Sequence, residues 1–399
     1  MLKNIIQLQQ IAKKSERIIV GLMSGTSLDG LDIAVCKIFE NGITTKCELL
    51  NFETIPYSNE LKNELKTIFC KEEVSLEKVC LLNIFLGKHH AELINQSLQK
   101  WKIKNEVVDL IASHGQTIYH APKHKHPNSC YENATLQIGD ADQIAVNTGI
   151  ITISDFRQKH IAAGGEGAPL AVYGDYFLLS SEDENRILLN IGGISNFTYL
   201  PKSLDFEKVI CTDVGPGNTL MDSYVQQHFE GLPFDENATL ALQGKVNDDL
   251  LTALMEHDFF QQHFPKSTGQ EIFNLNFIED ALTKSNTKDI NKEDVLATLN
   301  KFTARAIANA IQQNILEINY AIYISGGGIH NPLLMQNLQN ELPNIKIEST
   351  SILGINPNAK EAILFAVLAN ECISGDSKFY NSNPKNIPVI TMGKISLPN

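Results

Sequence analysis

Asp213 closes a short apolar run and opens Asp213-Val214-Gly215-Pro216-Gly217-Asn218, where tight-turn residues and a helix start at Pro216 would follow it. A carboxylate held at the end of a rigid strand is a frequent arrangement for a general acid or base, and a helix-capping or turn Asp has the same pattern. Two loops offer a different chemistry, anion binding. Met23-Ser24-Gly25-Thr26-Ser27-Leu28-Asp29-Gly30 and Asn190-Ile191-Gly192-Gly193-Ile194-Ser195-Asn196 each lie between strand-like runs and place small or donor residues at the turn. Small residues let backbone N–H groups approach phosphate oxygens, and hydroxyls add donors. An ordinary hairpin turn is the plain alternative for either loop alone; together they suggest two jaws on one polyphosphate. A third loop, Ser325-Gly326-Gly327-Gly328, offers bare backbone against which adenine or ribose could lie. Asp29 could take a proton or hold a magnesium-bound water, because Mg²⁺ keeps most of its waters and needs only one or two carboxylates.

Other familiar constellations are missing. Neither hairpin matches GxxxxGK[ST], and no GxGxxG opens a helix, which argues against a Walker or Rossmann site. There is no GxSxG elbow, so His114 in Ser113-His114-Gly115-Gln116 reads as a strand-end contact, with a substrate contact left open. His120, His124 and His126 lack the further ligands of a zinc site. Arg157 precedes Gly164-Gly165-Glu166-Gly167 and has the fork geometry for a carboxylate or phosphate; a surface charge cluster is the alternative. Asp140 and Asp142 would cap the helix after them.

Elements that must position these groups follow from periodicity. Residues 1–16 read as a short amphipathic helix, 17–22, 31–39 and 43–53 as strands, 58–70 and 75–101 as helices, and 107–112 as a strand entering Ser113. The second half repeats the order, with strands at 186–191, 195–200 and 209–212 and helices at 216–229, 239–256 and 293–318. A strand at 320–324, a helix from Pro332 and a last helix at 358–374 complete it, while 121–133 and 263–292 read as surface loops. Two successive β-β-β-then-helices units predict an α/β protein with sheets flanked by helices.

The 399 residues are enough for two domains, and 43% hydrophobic against 20% charged residues is an ordinary globular balance. A net charge of −13 argues against nucleic acid or an anionic membrane as principal partner. Seven scattered cysteines without a CxxC pair fit reduced thiols. With no apolar signal-like or membrane-spanning run either, the expectation is a cytoplasmic protein.

The motifs GLMSGTSLDGLDIA, SHGQTIYH, LQIGDADQIA, DFRQKHIAAGGEGAPLA, LNIGGISNFTYL, DVGPGNTLMD, PKSTGQEIFN, ISGGGIHNPLLM and KEAILFA occur in that order from about Ile18 to Phe365. In this the chain resembles the anhydro-N-acetylmuramic acid kinase family of the actin/Hsp70/sugar-kinase superfamily. The resemblance implies duplicated actin-like ATPase (ribonuclease H-like) domains flanking a central cleft. We expect a first lobe at 1–152, completed by about 372–399, and a second at 153–371 carrying the sugar site. It also implies the reaction: 1,6-anhydro-N-acetylmuramic acid, ATP and water give N-acetylmuramic acid 6-phosphate and ADP, in peptidoglycan recycling.

By the same resemblance Asp213 would be the general base that activates water. Gly21, Met23, Ser24, Gly25, Thr26, Ser27, Asp29 and Gly30 would hold ATP, with Gly192, Gly193, Gly326, Gly327 and Gly328. His114, Arg157, Glu166, Asn218 and Glu361 would contact the sugar. Mg²⁺ would be held mainly by ATP phosphates and water, and a homodimer is implied. The family patterns DFRxxD, GGQG and DTGPGN are departed from at His160, Glu166 and Val214. Two rival functions remain at this level: a kinase of the same fold acting on a free sugar hydroxyl, and a non-catalytic ATP-driven conformational protein.

Overall fold

The protein is described by a computed structural model covering residues 2–25, 28–317, 319–375 and 388–398. It forms two compact units, Met1–Leu179 with Asn358–Asn399, and Ser180–Pro357. The boundary therefore lies at 179/180, beyond the expected 152/153, and the last helix joins the first unit. Arg157, Glu166 and Glu361, expected in the second lobe, all belong to the first.

In chain order the first unit contains α1 (Leu2–Ala12), β1 (Glu16–Ser24), β2 (Gly30–Phe39), β3 (Lys46–Pro56), α2 (Asn59–Lys66), α3 (Leu76–Lys100), β4 (Leu110–Ala121), β5 (Ala134–Ile138), α4 (Ala141–Thr148), β6 (Thr152–Ser154), α5 (Phe156–Ala162) and α6 (Ala171–Leu179). The second contains β7 (Asn185–Ile191), β8 (Ile194–Leu200), β9 (Ile210–Pro216), α7 (Thr219–His228), α8 (Asp248–Met255), α9 (Leu275–Lys284), α10 (Lys292–Asn314), β10 (Tyr320–Ser325), α11 (Pro332–Glu341) and β11 (Lys346–Ser349). The chain then returns to the first unit with α12 (Lys360–Ser374) and β12 (Lys394–Ser396).

The two sheets share one plan. In the first, the order is β12-β6-β4-β1-β2-β3, with β5 paired to β4; in the second it is β11-β10-β7-β8-β9. Each has an antiparallel three-strand meander whose first strand runs parallel to a later strand. The expected α/β class and the internal duplication are thus present. Alternation within strands decides the faces: in the second unit Ile187, Leu189 and Ile191 enter a core with Phe259, Phe273, Phe302 and Ile307. In the first, Val20, Leu22, Ile33 and Val35 pack with Leu86, Ile94 and Ile144.

Helix starts follow the sequence signals. Ser58, Ser75 and Asp140 accept backbone N–H bonds from Leu61, Lys78 and Gln143, and Asn331 caps α11 ahead of Pro332. Several expected boundaries change. The strand expected at 107–112 runs on to Ala121, so Ser113–Gln116 lie inside it, and β9 runs through Pro216, so Asp213 is mid-strand. In both cases pairing with a neighbouring strand extends the element past polar residues that read as a turn. The helix expected over 239–256 is confined to Asp248–Met255, where Asn247 caps it, and the supposed loop at 263–292 contains α9. Among the described residues no helix is long and apolar enough to cross a membrane.

Candidate active site

In the second unit three glycine-bearing loops meet at one end of the sheet. The Gly193 carbonyl accepts the N–H groups of Gly217 (2.8 Å) and Thr219 (3.1 Å), and the Gly192 carbonyl accepts that of Asn218 (2.8 Å). The β7–β8 turn is thereby laid on the first turn of α7. The Asn218 side chain donates to the Ile191 carbonyl at 3.5 Å. Gly326 has φ +87°, and a Cβ there would stand 2.6 Å from the Ile191 carbonyl oxygen, so only glycine allows this approach. Gly328 is buried, while Gly193 and Gly327 are exposed.

Asp213 is half-buried in the same unit. Its N–H donates to the Lys266 carbonyl at 3.0 Å, and its Oδ2 accepts the Thr268 N–H at 2.9 Å. Oδ1 accepts nothing from the described residues. Burial pushes the carboxyl above its ordinary value, the Thr268 N–H pulls it back, and the Glu271 charge pushes it up again. The segment that holds it is itself anchored. Lys266 donates to the Phe259 carbonyl (2.8 Å) and lies 4.2 Å from the ring centroids of Phe259 and Phe264, a buried cation on aromatic faces. Thr212 Oγ1 bonds the Lys266 backbone at 3.0 and 3.1 Å. Sequence reasoning missed this clamp because Lys266 lies in a stretch read as surface loop.

In the first unit the β1–β2 turn rests on a buried polar chain. Ser24, Tyr57, His90 and Gln116 are all buried. The His90–Tyr57 and Tyr57–Ser24 contacts are 2.8 Å, Ser24 to Gln116 Oε1 is 2.5 Å, and Gln116 Nε2 donates to the Gly25 carbonyl at 3.1 Å. One proton per hydroxyl orders the chain: His90 Nε2–H to Tyr57, Tyr57 to Ser24, Ser24 to Gln116. Burial pushes His90 down to about 3, which keeps it neutral. The Ser24 hydroxyl, expected at a phosphate, is thus committed to the interior. Gly21 serves packing, because a Cβ there would lie 1.9 Å from the Ala362 carbonyl oxygen of α12. Gly30 is buried at the start of β2, Met23 and Gly25 are half-buried and Asp29 is exposed; Thr26 and Ser27 lie outside the described residues.

A second cluster joins Arg157, His114, His160 and Gly167. Arg157 Nε donates to His114 Nε2 (3.0 Å) and Nη1 to the Gly167 carbonyl (2.6 Å), while the Gly167 N–H donates to His160 Nδ1 (2.9 Å). One residue, Gly167, is gripped at its N–H and at its carbonyl. Burial and the Arg157 charge push His114 to about 3 and His160 to about 4, so both are neutral acceptors near pH 7. At the position where the sequence departs from the DFRxxD pattern, the His160 ring nitrogen thus accepts a backbone N–H. Gly165 leaves room for it, since a Cβ there would meet the ring at 2.2 Å. Arg157 is itself pushed down to about 10 by burial, opposed by Glu361. Glu361, at the start of α12, keeps an exposed face, but crowding by protein around its carboxyl, with the Asp32 charge, pushes it up against the pull of Arg157. Asp32 on β2, not singled out from the sequence, is raised by burial and by Asp29. Glu166 is exposed. Each unit thus gathers its own share of the expected residues.

Residues 17–393 match the family described as anhydro-N-acetylmuramic acid kinase. The chain is 55% identical to the anhydro-N-acetylmuramic acid kinase of Pseudoalteromonas atlantica, over the full length of both. It is 40% identical to that of Caldanaerobacter subterraneus, over 98% of this chain and 100% of the relative. Among solved structures, the activator of the 2-hydroxyisocaproyl-CoA dehydratase from Clostridium difficile aligns over 89% of this chain and 95% of its own, with TM-score 0.39 and 12% identity.

Proposed function

The chain belongs to the anhydro-N-acetylmuramic acid kinase family, and from that premise we propose which of its residues carry the reaction. The activity is phosphoryl transfer from ATP to O6 of 1,6-anhydro-N-acetylmuramic acid, with hydration of the anhydro ring. The same-fold kinase for a free hydroxyl is not favoured, because relatives matched over their whole length are anhydro-sugar kinases.

Asp213 is the general base in this reading. The observation that carries it is a half-buried carboxylate with one oxygen fixed by the Thr268 N–H and the other accepting nothing from the described residues. The anhydro sugar has no O6 hydroxyl to deprotonate, so water must supply the proton and the new bond. Asp213 takes a proton from water as the water oxygen bonds to C1. The C1–O6 bond breaks with its electron pair on O6, and O6 then displaces ADP from the γ-phosphorus. The β1–β2 turn, with Gly25 and Asp29, and the glycines at 192–193 and 326–328 are assigned to the nucleotide. Arg157, His114, Glu166, Asn218 and Glu361 are assigned to the sugar; the Gly167 carbonyl and the His114 ring are what would hold the Arg157 guanidinium in place.

Mg²⁺ would neutralise phosphate charge. No group of three or more acid, His or Cys side chains among the described residues could cage a metal ion, and Asp29 and Asp32 are suited to a water of an ion held by the phosphates. A cytoplasmic location fits seven free cysteines, and a homodimer stays part of the proposal. Turnover in ¹⁸O-water tests the chemistry: label must appear on C1 of the product. Asp213→Asn should lose about 10²–10⁴-fold in kcat; full activity would remove Asp213 as base.

A further inference from the structure

Strand register places a row of four polar side chains across the second sheet. Ser325 on β10 pairs with Asn190 on β7, Asn190 with Asn196 on β8, and Asn196 with Asp213 on β9. Residues directly opposite each other share a face, so the four stand side by side on the face away from Ile187, Leu189 and Ile191. The next row along the same face is Tyr323, Leu188, Thr198 and Cys211, with far less polar capacity. The polar row is therefore confined to the end of the sheet where the glycine loops meet.

Two of its members are unfavourable in strands. Asn is depleted in sheets because its short amide competes with the backbone for hydrogen bonds and packs poorly. Here neither amide is explained by folding. Among the described residues the Asn190 amide makes one hydrogen bond, in which the Ser325 hydroxyl donates to its Oδ1 at 3.5 Å. Asn196 is half-buried, and its carboxamide makes no hydrogen bond to any described residue. It also sits at a β-bulge between Ser195 and Asn196, the irregularity that sets which residue of β8 faces Asp213.

We infer that Asn196 is the second holder of the attacking water, a catalytic residue that accepts one water hydrogen on Oδ1 while Asp213 accepts the other. This rests on Asp213 being the base. A water that gives both hydrogens to fixed acceptors keeps a lone pair for C1. Opposed Cβ atoms in an antiparallel pair are about 4.5–5.5 Å apart, which leaves room for one water between the two side-chain tips. A carboxamide suits the place better than a second carboxylate. It still accepts a water hydrogen, though less strongly than a carboxylate, and it adds no further like charge to that of Glu271 beside Asp213.

The test uses the full-length enzyme with ATP and anhydro sugar across pH. Asn196→Ala should lower kcat about 10²-fold with both KM values unchanged, as expected when a reacting group loses its positioning. Asn196→Asp, which keeps the shape, should shift the acid limb of kcat/KM upward by about one pH unit or more. It carries the test if the alanine variant fails to fold. A purely structural role would lower the melting temperature of Asn196→Ala and leave its kcat near wild type. Wild-type kcat in Asn196→Ala, or an unmoved limb in Asn196→Asp, overturns the inference. Asp213→Asn separates the two readings: if it is inactive while Asn196→Ala is fully active, only this inference fails. If it is fully active, the base assignment fails first.

Discussion

Replacing Gln116 by Met should weaken nucleotide binding without touching the sugar. Gln116 is completely buried, donates to the carbonyls of Gly25 (3.1 Å) and Thr117 (3.2 Å), and accepts from Ser24 (2.5 Å). Methionine has similar length and makes none of these bonds. A buried bond of this kind contributes about 0.5–1.5 kcal/mol net, so losing three costs about 2–3 kcal/mol, softened because the Gly25 carbonyl can turn to water. Ser24 keeps Tyr57 and the Gly30 carbonyl, so the strands hold and the loss concentrates in the turn. If about 1–2 kcal/mol reappears as the cost of reordering Gly25 on binding, ADP affinity falls about 5–30-fold. Calorimetric titration of ADP, and separately of the anhydro sugar, reads this directly. Unchanged ADP affinity, or an equal loss for both ligands, would refute the claim that Gln116 acts through the nucleotide turn.

Acid should destabilise the fold through its buried histidines. His90 and His114 titrate near 3 and His160 near 4 in the folded chain, against 6.5 for an ordinary histidine. Their contribution is fully present above 6.5 and is lost as pH falls toward 4 and then 3, because the unfolded chain takes up protons first. At pH 5 each should cost about 2 kcal/mol, visible as a lower urea midpoint than at pH 7; equal midpoints would contradict it. His160→Asp should keep the sugar KM near wild type, because a carboxylate can also accept the Gly167 N–H. His160→Leu orphans that N–H and should raise the KM several-fold. Gly21→Ala should abolish folding, since its Cβ would lie 1.9 Å from the Ala362 carbonyl oxygen; a normal melting curve would show that α12 can move away from β1.

Local chemistry alone determined much of this protein. The repeated strand order, the caps at Ser58, Ser75 and Asp140, the glycine turns and the acid at 213 are all readable, because capping, turn conformation and apolar alternation depend on neighbours within a few residues. Tertiary structure decided what those residues do. Whether Ser24 faces a ligand depended on Tyr57 and Gln116, 33 and 92 residues away. Why Gly21 is glycine depended on α12, and what His160 accepts depended on the chain bending back to bring the Gly167 N–H to its ring. The unit boundary moved for the same cause: β6 pairs with β4 of the first sheet, and α12 returns to lie on β1. Pairing and packing across long stretches of chain leave no periodic trace in the residues that make them, so only the folded chain records which polar groups are spent on each other and which, like Asp213 Oδ1, accept nothing from the described residues.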